Sequence, residues 1–276
     1  MPVESPSPPD SPAWLVWATA LAVAAFLAVA TVILRRLRRG EPVIERRPQR
    51  PVPWDGSDVV VVIGSTLAIA ALIGGLIGKD PAVERSLTAA LGLTSVSGIA
   101  AIGWLVLRGA TGADLGFTTA GVGPDLRLAT AGLGLVLVPL LALASVLNQL
   151  VPYKHDVVEF LTLRRDPLAV SLVIATAVIA APLVEELFFR RILQGWLEKV
   201  LPEADGALAL VVSAAAFALA HQGQGLAFVP LFPLGLVLGF MARRTGSIVP
   251  CILLHALFNA VSVGLLLAAP APVAAG

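Results

Sequence analysis

Eight apolar stretches follow one another along this chain, most of them close to the roughly 20 residues that a helix needs to cross a bilayer. They are Trp14–Leu34, Val59–Gly78, Ala89–Leu107, Leu128–Leu150, Leu168–Phe189, Ala207–Ala220, Leu226–Ala242 and Ile248–Ala268. In hydrocarbon every backbone N–H and C=O must be satisfied within the protein, which makes helices the reading for runs of this length. Charged residues are 13% of the chain, against about 25% in soluble domains, so the apolar surplus is not a large soluble core. The expectation is an all-α protein, a polytopic membrane helical bundle of about eight transmembrane helices. The sixth and seventh stretches are short and separated by His221-Gln222-Gly223-Gln224-Gly225, which leaves a re-entrant or tilted piece open there.

Between the spans the chain divides by composition. Residues 1–13 are proline-rich and acidic and are expected to be disordered. Residues 14–150 read as an N-terminal transmembrane scaffold, nearly featureless apart from an Arg/Pro loop at 35–57, expected to lie disordered beside anionic headgroups. Arginines follow the first apolar run instead of preceding it, so that run is expected to stay as an anchor, not leave as a signal peptide. With the N-terminus outside, fourteen of the nineteen Lys and Arg residues fall in inside connections, as the positive-inside pattern requires; Arg164-Arg165 is the exception. The segment 114–127 reads as a loop, and 153–165 as a short amphipathic helix on the membrane surface, with His155 a surface residue. Gly235 and Gly239 have the small-xxx-small spacing of closely packed helices. The lone Cys251 excludes an internal disulfide and a multi-cysteine metal site, and is expected to pack. A net charge of +1 without a basic, aromatic-interleaved patch gives no reason to expect a nucleic-acid partner. An Ala-, Val- and Gly-rich composition points to a bacterial cytoplasmic (inner) membrane.

Chemistry gathers in 151–276. Val178 to Leu193 begins as a span and then sets Glu185 and Glu186 in apolar sequence, with Arg190 and Arg191 just beyond. A carboxylate at the centre of a membrane helix costs about 3 kcal/mol by insertion scales, so each needs a partner or a use. Glu186 and Arg190 are i,i+4 and can pair on one face; Glu185 lies about 100° further round and points elsewhere. Later, Phe217 and His221 are i,i+4 at the end of the sixth stretch, and His255 and Asn259 are i,i+4 in the last. Three helices thus offer a carboxylate, an imidazole, and an imidazole with an amide. Water hydrolysis of an amide needs a base for the water and donors for the oxyanion, and this set can supply both.

The runs E-E-L-F-F-R, F-A-L-A-H and H-A-L-F-N resemble the EExxxR, FxxxH and HxxxN motifs of the CPBP intramembrane proteases, which include type 2 CAAX prenyl proteases and bacterial Abi proteins. Asp114-Leu115-Gly116-Phe117 and Arg243-Arg244-Thr245-Gly246-Ser247 are similar to bacterial members. The resemblance implies that 151–276 is a catalytic CPBP/Abi-type transmembrane domain and that the chain is an intramembrane endopeptidase. Glu185 and His221 would hold and activate the water, Glu186 and Arg190 would pair, and His255 and Asn259 would donate to the oxyanion. Another reading of the family makes it a metalloprotease, with Glu185, His221 and His255 around Zn. The donor types suit catalytic zinc, but there is no HExxH pair, and the metal-free glutamate mechanism, with no cofactor required, is the preferred reading. Implied partners are the lipid bilayer and a membrane-anchored peptide or protein substrate; prenyl specificity is not carried over. The alternative is a non-enzymatic immunity or scaffold protein or a small-solute transporter, although the duplicated halves usual in transporters are not visible.

One geometric demand follows. Counted from Arg190 and from Ser247, Glu185 and His255 lie roughly 8–12 Å from the inside face at 1.5 Å per residue. His221, counted from Gly206, lies at about 20 Å. The residues converge toward an active site at the cytoplasmic face only if the sixth helix starts in the aqueous phase or tilts.

Overall fold

The computed structural model describes residues 13–47, 49–77, 83–153, 156–201 and 206–269. Residues 1–12, expected to be disordered, and His155, expected at the surface, lie outside them. Among the described residues there is no strand. The helices are α1 (Ala13–Arg38), α2 (Gly56–Ile77), α3 (Val83–Leu107), α4 (Val122–Leu150), the short α5 (Asp156–Leu163), α6 (Pro167–Val200), α7 (Ala207–Leu219), α8 (Phe228–Thr245) and α9 (Val249–Ala268). Seven are long and apolar enough to cross a membrane; α7, with 13 residues, is apolar but shorter. The eight expected stretches are therefore seven candidate spans and one short helix.

The largest departure concerns the fifth stretch, which does not stop at Phe189 but continues to Val200. Averaged hydropathy sees Arg190-Arg191 as a terminus, yet both charges are accommodated inside the protein. Arg190 is buried against Glu186, and Arg191 Nε donates to the Asp114 carbonyl. With its end at Val200, α6 carries Glu185 about 22 Å from that end, and His221 lies about 21 Å from the start of α7. Packed side by side, α6 and α7 thus bring the two level, and what the sequence reading lacked was the longer fifth helix.

Packing brings both halves of the sequence together. α4 lies against α1, α8 and α9, α3 against α2, α5 and α6, and α7 against α6 and α8. One apolar cluster joins Val136 and Leu140 of α4 to Leu234, Leu238 and Met241 of α8 and to Cys251 and Leu254 of α9, so Cys251 does pack. The close approach expected of Gly235 and Gly239 is present. A Cβ at Gly235 would stand 3.1 Å from the Ala214 Cβ, and one at Gly239 would stand 2.6 Å from Gln194 Oε1. Val157, Phe160 and Leu161 of α5 are buried with residues of α6 and α9, so its apolar face packs inward.

Two loops are more ordered than their composition suggests. The Arg/Pro loop is a strap, not a disordered linker: Arg47 N–H donates to Arg244 O at 2.9 Å and Arg244 Nε to Ile44 O at 2.7 Å. Val52 and Trp54 are buried, and Trp54 Nε1 donates to Ile192 O at 3.2 Å. Two large apolar side chains among the arginines supply the anchor. The expected loop at 114–127 ends at Gly121, whose φ of +110° precedes the first turn of α4. Its Gly116 accepts from Ile248 N–H at 3.0 Å, and Ser247 Oγ donates to the Thr118 carbonyl, so the segment docks on the turn between α8 and α9.

Candidate active site

Ala181–Glu186 of α6 is bracketed by two wider turns of π-helical hydrogen bonding, Ile174–Ala180 and Leu187–Leu193. Such turns shift the register of the side chains on either side and are frequent at functional sites. Side chains from neighbouring segments reach carbonyls in both: Asn259 Nδ2 donates to Ala177 O at 2.8 Å, Ser213 Oγ to Phe189 O at 2.6 Å, and Trp54 Nε1 to Ile192 O.

Glu186 is fully buried. Its Oε2 accepts from Arg190 Nε at 3.0 Å, and its Oε1 from His255 Nδ1 at 2.8 Å. The i,i+4 pairing read from the spacing is present, with both side chains at 0% exposure. At that depth removing either partner strands a charge. Because a carboxylate accepts, His255 Nδ1 carries the proton, and its Nε2 is left facing Glu185. His221 is arranged alike: Nδ1 lies 2.9 Å from the Phe217 carbonyl, to which it donates, leaving Nε2 free.

Glu185 sits between the two imidazoles. Its Oε2 is 4.0 Å from His221 Nε2 and 3.9 Å from His255 Nε2, and this buried oxygen has no hydrogen-bond partner. The two residues that open outward are Glu185 and His221, with side chains 25% and 19% exposed, whereas that of His255 is 4% exposed. Phe217, fully buried, holds the group together. Its ring lies 5.1 Å from the His221 ring, 5.7 Å from that of His255 and 5.4 Å from that of Phe189, each edge-on, and the Arg190 guanidinium carbon sits 4.6 Å above it.

Asn259 departs from the reading that paired it with His255 toward one point. Its amide is directed to the Ala177 carbonyl, and it lines a separate apolar cavity of about 610 Å³ between α4, α5, α8 and α9. Residues not singled out in the sequence also shape the site. Ser213 is the single polar residue of α7 and lies one turn before Phe217. Gln194 Nε2 donates to Gly239 O and to Glu198 Oε1, each at 3.0 Å. A lone serine four residues before the FxxxH run was the available signal for the first; nothing in the sequence marks the second.

Could this group hold a divalent ion? Glu185, His221 and His255 are suitable donor types, but tetrahedral zinc with bonds near 2.0–2.1 Å sets its ligand atoms about 3.3 Å apart. The separations of 4.0 and 3.9 Å are wider. Among the described residues no group of three or more His, Cys, Asp or Glu is spaced to hold a metal. As arranged the donors do not fit zinc. They do fit a water: hydrogen bonds of about 2.8 Å from its oxygen span partners roughly 4–4.6 Å apart.

Residues 167–261 match the family model described as type II CAAX prenyl endopeptidase Rce1-like. The matched stretch runs from the start of α6 into α9 and holds Glu185, Glu186, Arg190, His221, His255 and Asn259. The match is consistent with a CPBP family intramembrane protease. No curated protein and no solved structure matches the chain.

Proposed function

We propose, from the premise that residues 167–261 form an Rce1-like CAAX-type endopeptidase domain, that the chain is a glutamate-dependent intramembrane endopeptidase. Its substrates are peptides or proteins anchored in or associated with the membrane. The observation that carries the mechanism is the partnerless Glu185 Oε2 lying 4.0 and 3.9 Å from two imidazole Nε2 atoms.

A water held among these three atoms has acceptors on every side, but it can donate only two hydrogen bonds. One proton must therefore reside within the group. Glu185, as carboxylate, removes a proton from the water while His221 Nε2 orients it, and the water oxygen attacks the scissile carbonyl. The carbonyl π electrons move onto oxygen as the oxyanion. His255, protonated at Nε2, donates to that oxyanion, while Asn259, bonded to the Ala177 carbonyl, holds α9 against α6. The proton taken by Glu185 is then delivered to the leaving amine as the C–N bond breaks. Glu186 keeps the His255 tautomer and orientation through Nδ1, as a carboxylate behind an imidazole does in other hydrolases, while Arg190 balances its charge. No step needs a metal ion. The apolar cavity beside Asn259 suits the apolar flank of a membrane-anchored substrate. Leaving aside Arg190 and Arg191, which are accommodated inside the protein, twelve of the nineteen cationic residues lie in the helix ends and connections on the side where α6 meets the strap; by the positive-inside rule that side faces the cytoplasm of a bacterial inner membrane.

The test is cleavage of membrane-anchored peptides by the purified chain in lipid vesicles, compared with Glu185→Ala and His221→Ala and with a chelator-treated sample. The reading expects loss of cleavage in both folded variants and none on chelation. Equal cleavage by the variants removes the hydrolase, and loss on chelation removes the metal-free mechanism.

A further inference from the structure

His221 stands beyond the last residue of α7, in the turn that follows Leu219, where a helix end frays readily. Something must fix its height along α6, because Glu185 belongs to the opposite helix. Ser213, Phe217 and His221 are spaced i, i+4 and i+8 and share one face of α7. That face meets α6 in antiparallel order: Ser213 at Phe189, Phe217 over Arg190 and Phe189, and His221 opposite Glu185.

Within this face one contact is directional. The Phe189 carbonyl accepts a π-type bond from Gln194 N–H and, on its second lone pair, a 2.6 Å bond from the Ser213 hydroxyl. Apolar contacts of Phe217 tolerate sliding, whereas a hydrogen bond weakens steeply with misalignment. In hydrocarbon, a lost donor is not replaced by bulk water. Ser213 is fully buried. A slip of one residue, about 1.5 Å along the axis, exceeds the window of about 0.6 Å over which one water can bridge Glu185 and His221.

We propose that Ser213 is a positioning residue, which pins the axial register of α7 on α6 and thereby the spacing of His221 from Glu185. Its consequence for cleavage rests on the protease reading; the pin itself does not. Ser213 touches neither water nor substrate, so its loss lowers kcat and leaves KM.

The experiment compares wild type, Ser213→Ala, Ser213→Thr, which restores a hydroxyl, and Ser65→Ala as a control. The control hydroxyl bonds only within its own helix, to Val62 O. The chain has three histidines, so ¹⁵N imidazole spectra are simple to assign. Ser213→Ala is expected to move the Nε2 resonance of His221 and not that of His255, and to speed amide exchange across 190–194. It is expected to lower kcat about tenfold with KM within twofold, with Ser213→Thr returning most of each. An unmoved His221 resonance with unchanged exchange overturns the pin, and so does an equal shift at His255. A wild type that cleaves nothing removes the protease reading, and the spectra and exchange still decide the pin. If Ser213→Ala fails to accumulate, Ser213→Cys, with its weaker donor, is judged by the same outcomes.

Discussion

Replacing Glu186 with glutamine keeps the side-chain volume and removes one charge from a place with no access to solvent. Glu186 and Arg190 are both 0% exposed at the side chain, 3.0 Å apart, and Glu186 also receives His255 Nδ1 at 2.8 Å. Arg190 Nη1 and Nη2 have no other hydrogen-bond partner, so the glutamine variant leaves the guanidinium without a counter-charge. Breaking one side of a buried pair costs about 3–5 kcal/mol, whereas replacing both partners with apolar groups of similar size is often close to neutral. Glu186→Gln should therefore destabilise the detergent-solubilised protein by about 3–5 kcal/mol in reversible denaturant unfolding, and Glu186→Gln/Arg190→Met should recover most of that loss. The double variant should remain catalytically poor, because His255 has lost the carboxylate that orients it. A single-variant cost below about 1 kcal/mol, the range of exposed pairs, would refute the reasoning. So would a double variant no more stable than the single.

Asp114 offers a pH test outside the membrane. The Thr111 hydroxyl, and then the Thr111 backbone N–H, hold its carboxyl below the ordinary carboxylate range. A depressed folded-state value means stability that is present above the unfolded value near 4 and is lost as pH falls through the lower folded value. Thr111→Val should flatten that acid-side decline in melting temperature relative to wild type; parallel curves would contradict it. At Gly239 a methyl group meets Gln194 Oε1 at 2.6 Å, and Gln194 is itself tied to Gly239 O and Glu198. Gly239→Ala should destabilise by about 1–3 kcal/mol, as overpacking does, read by the same unfolding assay.

The parts of the site legible in the sequence were those encoded by helical spacing. Glu186 with Arg190 and Phe217 with His221 are i,i+4 pairs, and a four-residue interval fixes neighbours on a helix whatever surrounds it. What spacing could not convey was pairing between helices. Arg190-Arg191 looked like the end of a span because hydropathy counts a buried, compensated arginine as though it faced water. The strap at 39–55 looked disordered for a similar reason: Val52 and Trp54 are too few to make a periodic signal, yet they are buried against α6. The π turns have no residue signature, so the Asn259 amide could not be seen to reach Ala177, nor Ser213 to reach Phe189. Hydrophobic runs encode the helices, whereas the interhelical hydrogen bonds have no counterpart in residue spacing.

The most direct measurement is the rate at which folded Glu185→Gln cleaves a membrane-anchored peptide relative to wild type. Glutamine preserves the size and the contacts of a side chain that is 25% exposed but cannot take a proton. General-base catalysis contributes about 10²–10⁴-fold, so the rate should fall at least about 100-fold with the melting temperature unchanged. Cleavage within about threefold of wild type, far inside that range, would contradict a role for Glu185 in activating water.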